Sequence, residues 1–128
     1  MKHESRHRHH SHIQGIIFDL QNNPGGPLSA ALDLASTFLP KNKPLLQITS
    51  HNNTQIFKSN NRFADSRTPI LLLVNEQTAS ASEIFASALQ DHNRGVVAGT
   101  CNTLGKNIAQ VYIQLTPYHY PLIYASID

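Results

Sequence analysis

A serine, a lysine and a glycine-rich turn are the residues of this sequence best placed to do chemistry together. Ser80 lies in Thr78-Ala79-Ser80-Ala81-Ser82-Glu83, after an apolar run ending at Val74 and at the start of a helical pattern. A serine at a strand-to-helix junction points its hydroxyl out of the carboxyl edge of a sheet, where α/β proteins place ligands. The unpaired N–H groups of the helix start carry partial positive charge and could hold the oxyanion of a tetrahedral intermediate. A serine hydroxyl still needs a base. No histidine is obviously placed for that: His92 falls near the far end of the same helix. Lys106, after Gly105 and ahead of a strand, is the alternative, because burial disfavours the ammonium form and frees the amine to accept a proton.

Each of these features has a plainer meaning. Ser80-x-x-Glu83 is a capping box that satisfies helix N-terminal donors, a lone Lys106 reads as a surface lysine, and Asn23-Pro24-Gly25-Gly26 alone is a turn. Their combination and order carry more than any one of them.

The elements that must position these residues are legible from periodicity. Gly15 to Leu20 is a short apolar strand, followed by turn chemistry from Gln21 to Pro27. Ala30, Ala31, Leu34, Ala35, Phe38 and Leu39 recur at helical spacing until Pro40 stops them. Leu45–Thr49 and Gln55–Lys58 read as strands around Asn52-Asn53, and Pro69–Val74 as a central strand apolar on both faces. A second helix runs over Ala79–His92 with Ala81, Ile84, Phe85, Ala88 and Leu89 on its apolar face. Gly95–Ala98, Ile108–Leu115 and Pro121–Ile127 complete the strands. This alternation predicts an α/β domain with a mainly parallel sheet and flanking helices.

Composition narrows the function classes. The chain has 128 residues, 40% hydrophobic and 14% charged, with a formal net charge of +2, enough for one domain. It has no basic stripe interleaved with aromatics, so nucleic acid is not an expected partner. No apolar run approaches the ~18 residues of a membrane span. Cys101 is the single cysteine, which excludes an internal disulfide and offers no metal-ligand spacing. Residues 1–12, with His3, His7, His9, His10 and His12, read as a disordered His-rich tail. Such tracts bind Zn²⁺ or Ni²⁺ adventitiously, and no functional metal or cofactor is expected. The N-terminus shows no apolar core of an export signal.

Three motifs in order resemble the carboxyl-terminal processing (tail-specific) proteases. Asp19-Leu20-Gln21-Asn22-Asn23-Pro24-Gly25-Gly26 is similar to their D-L-R-x-N-P-G-G segment. Asn75 to Ile84 resembles N-x-x-S-A-S-A-S-E-I, and Gly99-Thr100 through Gly105-Lys106 resembles G-T-x-T-F-G-K. The likeness runs from about Gly15 to Leu115. It implies a ClpP/crotonase-like core and a serine endopeptidase with a Ser/Lys dyad acting near protein carboxyl termini, without a metal. Carried over by position, the nucleophile falls on Ser80, the base on Lys106, and the lysine-orienting glutamine on Gln110. The oxyanion hole falls on the N–H of Ala81 and that of Gly25 or Gly26. Protein or peptide substrates and a bacterial envelope location follow from the same likeness.

The sequence departs from the family pattern in three places. Gln21 replaces an arginine, Asn107 replaces a glycine, and the Gly99–Lys106 stretch is one residue longer (Asn102 is the candidate), which sets Lys106 one position further from Ser80. The family's substrate-binding PDZ domain and flanking segments are also missing. The expectation is therefore a partial catalytic domain over residues 13–128, truncated at both ends. It would work alone, with an oligomeric or complementing partner, or persist as an inactive remnant that binds peptides.

Overall fold

The computed structural model describes residues 13–50, 53–60, 67–105, 108–112 and 122–127. The His-rich head lies outside them. Three strands, β1 (Ile16–Asp19), β4 (Ile70–Val74) and β5 (Val96–Gly99), form a parallel sheet in the order β1-β4-β5. The other four described strands form a separate antiparallel sheet in the order β3-β2-β7-β6: β2 (Pro44–Ser50), β3 (Asn53–Lys58), β6 (Ile108–Tyr112) and β7 (Leu122–Ile127). The expected parallel sheet is thus present with β4 at its centre. The pairing of the remaining strands into a second sheet is what periodicity did not separate.

The helices α1 (Leu28–Phe38) and α2 (Ala81–Asp91) pack on each other and on one face of the parallel sheet. Ile70, Leu72 and Val74 alternate inward along β4, and Leu72 and Leu89 are fully buried at 0% exposure. Phe18 of β1 binds the layers together, with its ring edge-on to Phe38 of α1 (5.5 Å) and Phe85 of α2 (5.0 Å). The α2 residues that recur at i, i+3, i+4, i+7 and i+8 are all buried, joined by Ser82 and Ala86 at the edges of that face.

The helix ends have local causes. Leu39, before Pro40, is extended (φ −118, ψ 143), as crowding by the proline ring requires. Asn93 takes φ 53 just past α2 and donates its N–H to the Gln90 carbonyl, a left-handed cap made by asparagine instead of glycine. On the opposite sheet face Ile17, Leu71 and Val96 share a row, with Ile17 and Val96 about two-thirds exposed.

Candidate active site

Both turns that leave the carboxyl ends of β1 and β4 meet at Ser80. The serine precedes α2 and is half-buried, and its backbone takes φ 56, ψ −123. That conformation is one that side chains rarely adopt; it costs about 1–3 kcal/mol and persists only where the surroundings impose it. Residues held this way cluster at catalytic centres, and a serine on a sharp strand-to-helix turn is the form of a nucleophile elbow.

The surroundings do impose it. The Ser80 N–H donates to Glu83 Oε2 at 2.8 Å, which is the carboxylate half of the expected capping box. The Glu83 N–H is taken by the Ser80 carbonyl at 2.9 Å. One residue earlier, the Ala79 N–H donates to the Asn23 carbonyl at 3.0 Å and so ties the serine turn to the first glycine turn.

Gly25 is packed against that tie. It has φ 97, and a Cβ built on it would sit 2.7 Å from the Ala79 carbonyl oxygen, 2.8 Å from the Ala81 nitrogen and 2.9 Å from Ser80 Cβ. Only glycine allows this approach and this φ. The Gly25 N–H donates to Asn23 Oδ1 at 3.0 Å. Among the described residues the N–H groups of Gly26 and Ala81 have no hydrogen-bond partner, and that of Ala81 faces Gly25.

The third segment closes the site from the other side. Glu83 Oε1 accepts both the Thr103 hydroxyl and the Gly105 N–H, each at 2.7 Å, and Gly105 has φ 70. Lys106 follows immediately but lies outside the described residues. Gln110 is in β6, paired with Tyr124 of β7. A cavity of about 580 Å³ runs past Ser80, Glu83, Gly105, Cys101 and Leu46. The Cys101 thiol donates to Glu76 Oε2 at 2.8 Å, and this bond, aided by a backbone bond, holds the Glu76 carboxyl below its ordinary value.

His92, the one histidine among the described residues, stands at the opposite end of α2, its Nε2 2.7 Å from the Pro44 carbonyl oxygen. No group of His, Cys, Asp or Glu that could hold a metal occurs among the described residues. None of their helices is long and apolar enough to cross a membrane.

Sequence reading placed Ser80, Gly25, Gly26 and Ala81 on these turns, and the structure brings them together. It did not anticipate the grip of Glu83 on the Gly105 segment. Nor did it anticipate the Asn22–Asn75 pair, in which Asn22 N–H donates to Asn75 Oδ1 (2.9 Å) and Asn75 Nδ2 to Asn22 Oδ1 (2.8 Å). The available signal was Asn75-x-x-Thr78, a pair of turn-forming side chains at the end of an apolar strand.

The comparison with known proteins decides the family. The model of peptidase family S41 matches residues 1–122. The chain belongs to peptidase family S41. It is 41% identical over 102 residues to a carboxyl-terminal-processing protease of Synechocystis sp., covering 80% of this chain and 23% of that protein. It is 36% identical over 104 residues to a chloroplastic C-terminal processing peptidase of Tetradesmus obliquus, covering 81% and 22%. Among solved structures, a photosystem II D1 C-terminal processing protease superposes with a TM-score of 0.78 at 32% identity, over 90% of this chain and 30% of that one. The S41 chain is thus similar to serine peptidases that process carboxyl termini, and it spans less than a quarter of the length of the two sequence relatives it matches here.

Proposed function

We propose that this S41 chain carries the nucleophile side of a Ser/Lys endopeptidase that cuts proteins near their carboxyl termini. The observation that carries the reading is the strained Ser80 backbone lining the cavity, with the N–H of the next residue, Ala81, unpartnered among the described residues. Ser80 Oγ attacks the peptide carbonyl while Lys106, as the neutral amine, takes its proton and passes it to the leaving amine. Water then hydrolyses the acyl-enzyme with the same lysine as base. Gln110 orients the lysine.

For the oxyanion, the donors that fit are the N–H groups of Gly26 and Ala81. That of Gly25 is engaged by Asn23 and would have to be released first. A lysine base must be the neutral amine, the form that burial favours. No step calls for a metal or cofactor. The substrates are proteins or peptides, and the bacterial and chloroplast origins of the relatives suggest an envelope or lumenal setting.

A fluorophosphonate probe tests the nucleophile directly. Mass spectrometry of the labelled chain is expected to find the adduct on Ser80 and none in Ser80→Ala. Labelling at another residue, or none on the folded chain, would contradict the assignment and leave a peptide-binding fragment of the protease fold.

A further inference from the structure

Between β4 and Ser80 lies one side chain that touches all three segments of the site. Thr78 is fully buried at 0% exposure. Its hydroxyl donates to the Leu20 carbonyl at 2.8 Å, 58 positions away, at the start of the first glycine turn. The alternative acceptor, Asn75 Oδ1, is further off at 3.3 Å, so the single proton goes to Leu20. The same oxygen accepts the Asn75 N–H at 3.0 Å. The Thr78 carbonyl accepts the Leu104 N–H at 3.0 Å, from the segment that Gly105 ends.

We propose that Thr78 is a positioning residue whose buried hydroxyl and carbonyl lock the β1, β4 and β5 turns into one unit that fixes Ser80 against Gly25. The inference rests on the reading of Ser80 as nucleophile, and it names what holds that nucleophile in place. In the chain only Ala79 separates Thr78 from the strained serine. Ala79 joins the Asn23 carbonyl, and Asn23 donates its own N–H to the same Leu20 carbonyl (3.1 Å) that Thr78 holds. The Leu20 carbonyl is therefore a shared anchor, and among the described residues the Thr78 hydroxyl is the only side-chain group on it. Neither a cap nor a core-filling role requires a threonine here. A valine has the same shape, yet would leave the part-buried Asn75 N–H without its acceptor and the Leu20 carbonyl without its tie to Thr78.

The test compares Thr78→Val, which keeps the shape, with Thr78→Ser, which keeps the hydroxyl. Amide hydrogen exchange reads the lock without reference to activity. In Thr78→Val the amides of Asn23, Ala79 and Leu104 should exchange about tenfold faster or more, while that of Leu72 in the core is unchanged; in Thr78→Ser all four should behave as in the wild type. In cleavage assays Thr78→Val should lose at least about tenfold in kcat with KM little changed, because small displacements of reacting groups are costly. Equal acceleration at Leu72 would make Thr78 a residue of general stability and overturn the proposal. So would unchanged exchange at the three turn amides, or full kcat in Thr78→Val when Ser80→Ala is inactive. If Ser80→Ala itself retains cleavage, the functional reading fails and the exchange data still decide the lock. Should Thr78→Val not fold, exchange in the wild type serves: the three turn amides must open together with one protection factor, and separate openings contradict the lock.

Discussion

Glu83 holds Ser80 and Gly105 with opposite oxygens of one carboxylate. Oε2 accepts the Ser80 N–H at 2.8 Å and Oε1 the Gly105 N–H at 2.7 Å. The residue that caps α2 therefore also anchors the segment that Gly105 ends, and one side chain sets the relation between the Ser80 turn and that segment. Hydrogen bonds to a carboxylate of this kind contribute about 1.5–3 kcal/mol each, and a donor left buried without one costs comparably.

Replacing Glu83 tests this double role. Glu83→Gln presents one acceptor oxygen and one NH₂ group, so it cannot accept on both sides. Stability should fall by about 1–3 kcal/mol, read by thermal denaturation, and cleavage by about tenfold or more. Unchanged cleavage in Glu83→Gln would show that the grip on Gly105 has no part in catalysis.

Adjacent glycines should respond differently to alanine. At Gly25 a methyl meets the Ala79 carbonyl and the Ala81 nitrogen under 3.0 Å and must adopt φ 97, whereas at Gly26 nothing lies within 4 Å. Gly25→Ala should destabilise by more than about 1–3 kcal/mol and abolish turnover, because strain and backbone clash add. Gly26→Ala should leave the melting temperature near that of the wild type. Circular dichroism melts of the two variants decide it, and equal melting temperatures would contradict the close packing at Gly25.

Much of this site was readable in the sequence, and the reasons are local. Gly25, Ser80 and Ala81 lie on turns between an apolar run and a helical pattern, and both signals come from neighbours in the chain. The core of α2 was legible for the same reason, since Ala81, Ile84, Phe85, Ala88 and Leu89 repeat with the helical period. What could not be read was contact between distant segments. The Ser80 φ of 56 runs against side-chain preference and is imposed by Asn23, Gly25 and Glu83 together. The pairing of β2 and β3 with β6 and β7 depends on long-range register. Lys106 itself, and with it the consequence of the extra residue near Asn102, lies outside the described residues.

The core should show the usual cost of cavities. Leu72 and Leu89 are both fully buried between the sheet and the helices. Leu72→Ala and Leu89→Ala are each expected to lose about 2–5 kcal/mol in urea denaturation. Ile17→Ala, on the exposed sheet face, should cost far less. A loss at Ile17 equal to that at Leu72 would mean that the outer face is covered in solution.

Glu76 offers a pH test of the site's outer rim. The Cys101 thiol, and secondarily a backbone N–H, favours the ionised carboxylate and lowers its pKa in the folded chain. A carboxyl lowered on folding contributes stability above its unfolded pKa, and that contribution is lost as pH falls through the folded value. Cys101→Ala should move the Glu76 titration upward toward that of a free glutamate in a carbon-detected NMR titration. An unmoved midpoint would show that the thiol does not donate in solution.

The central claim is that Ser80 is the nucleophile of a peptidase. The most direct measurement is cleavage of an unstructured peptide with an apolar carboxyl terminus by the wild type, Ser80→Ala and Lys106→Ala, each shown folded by circular dichroism. Turnover by the wild type and none by either variant is the predicted result. Cleavage retained by folded Ser80→Ala would contradict it.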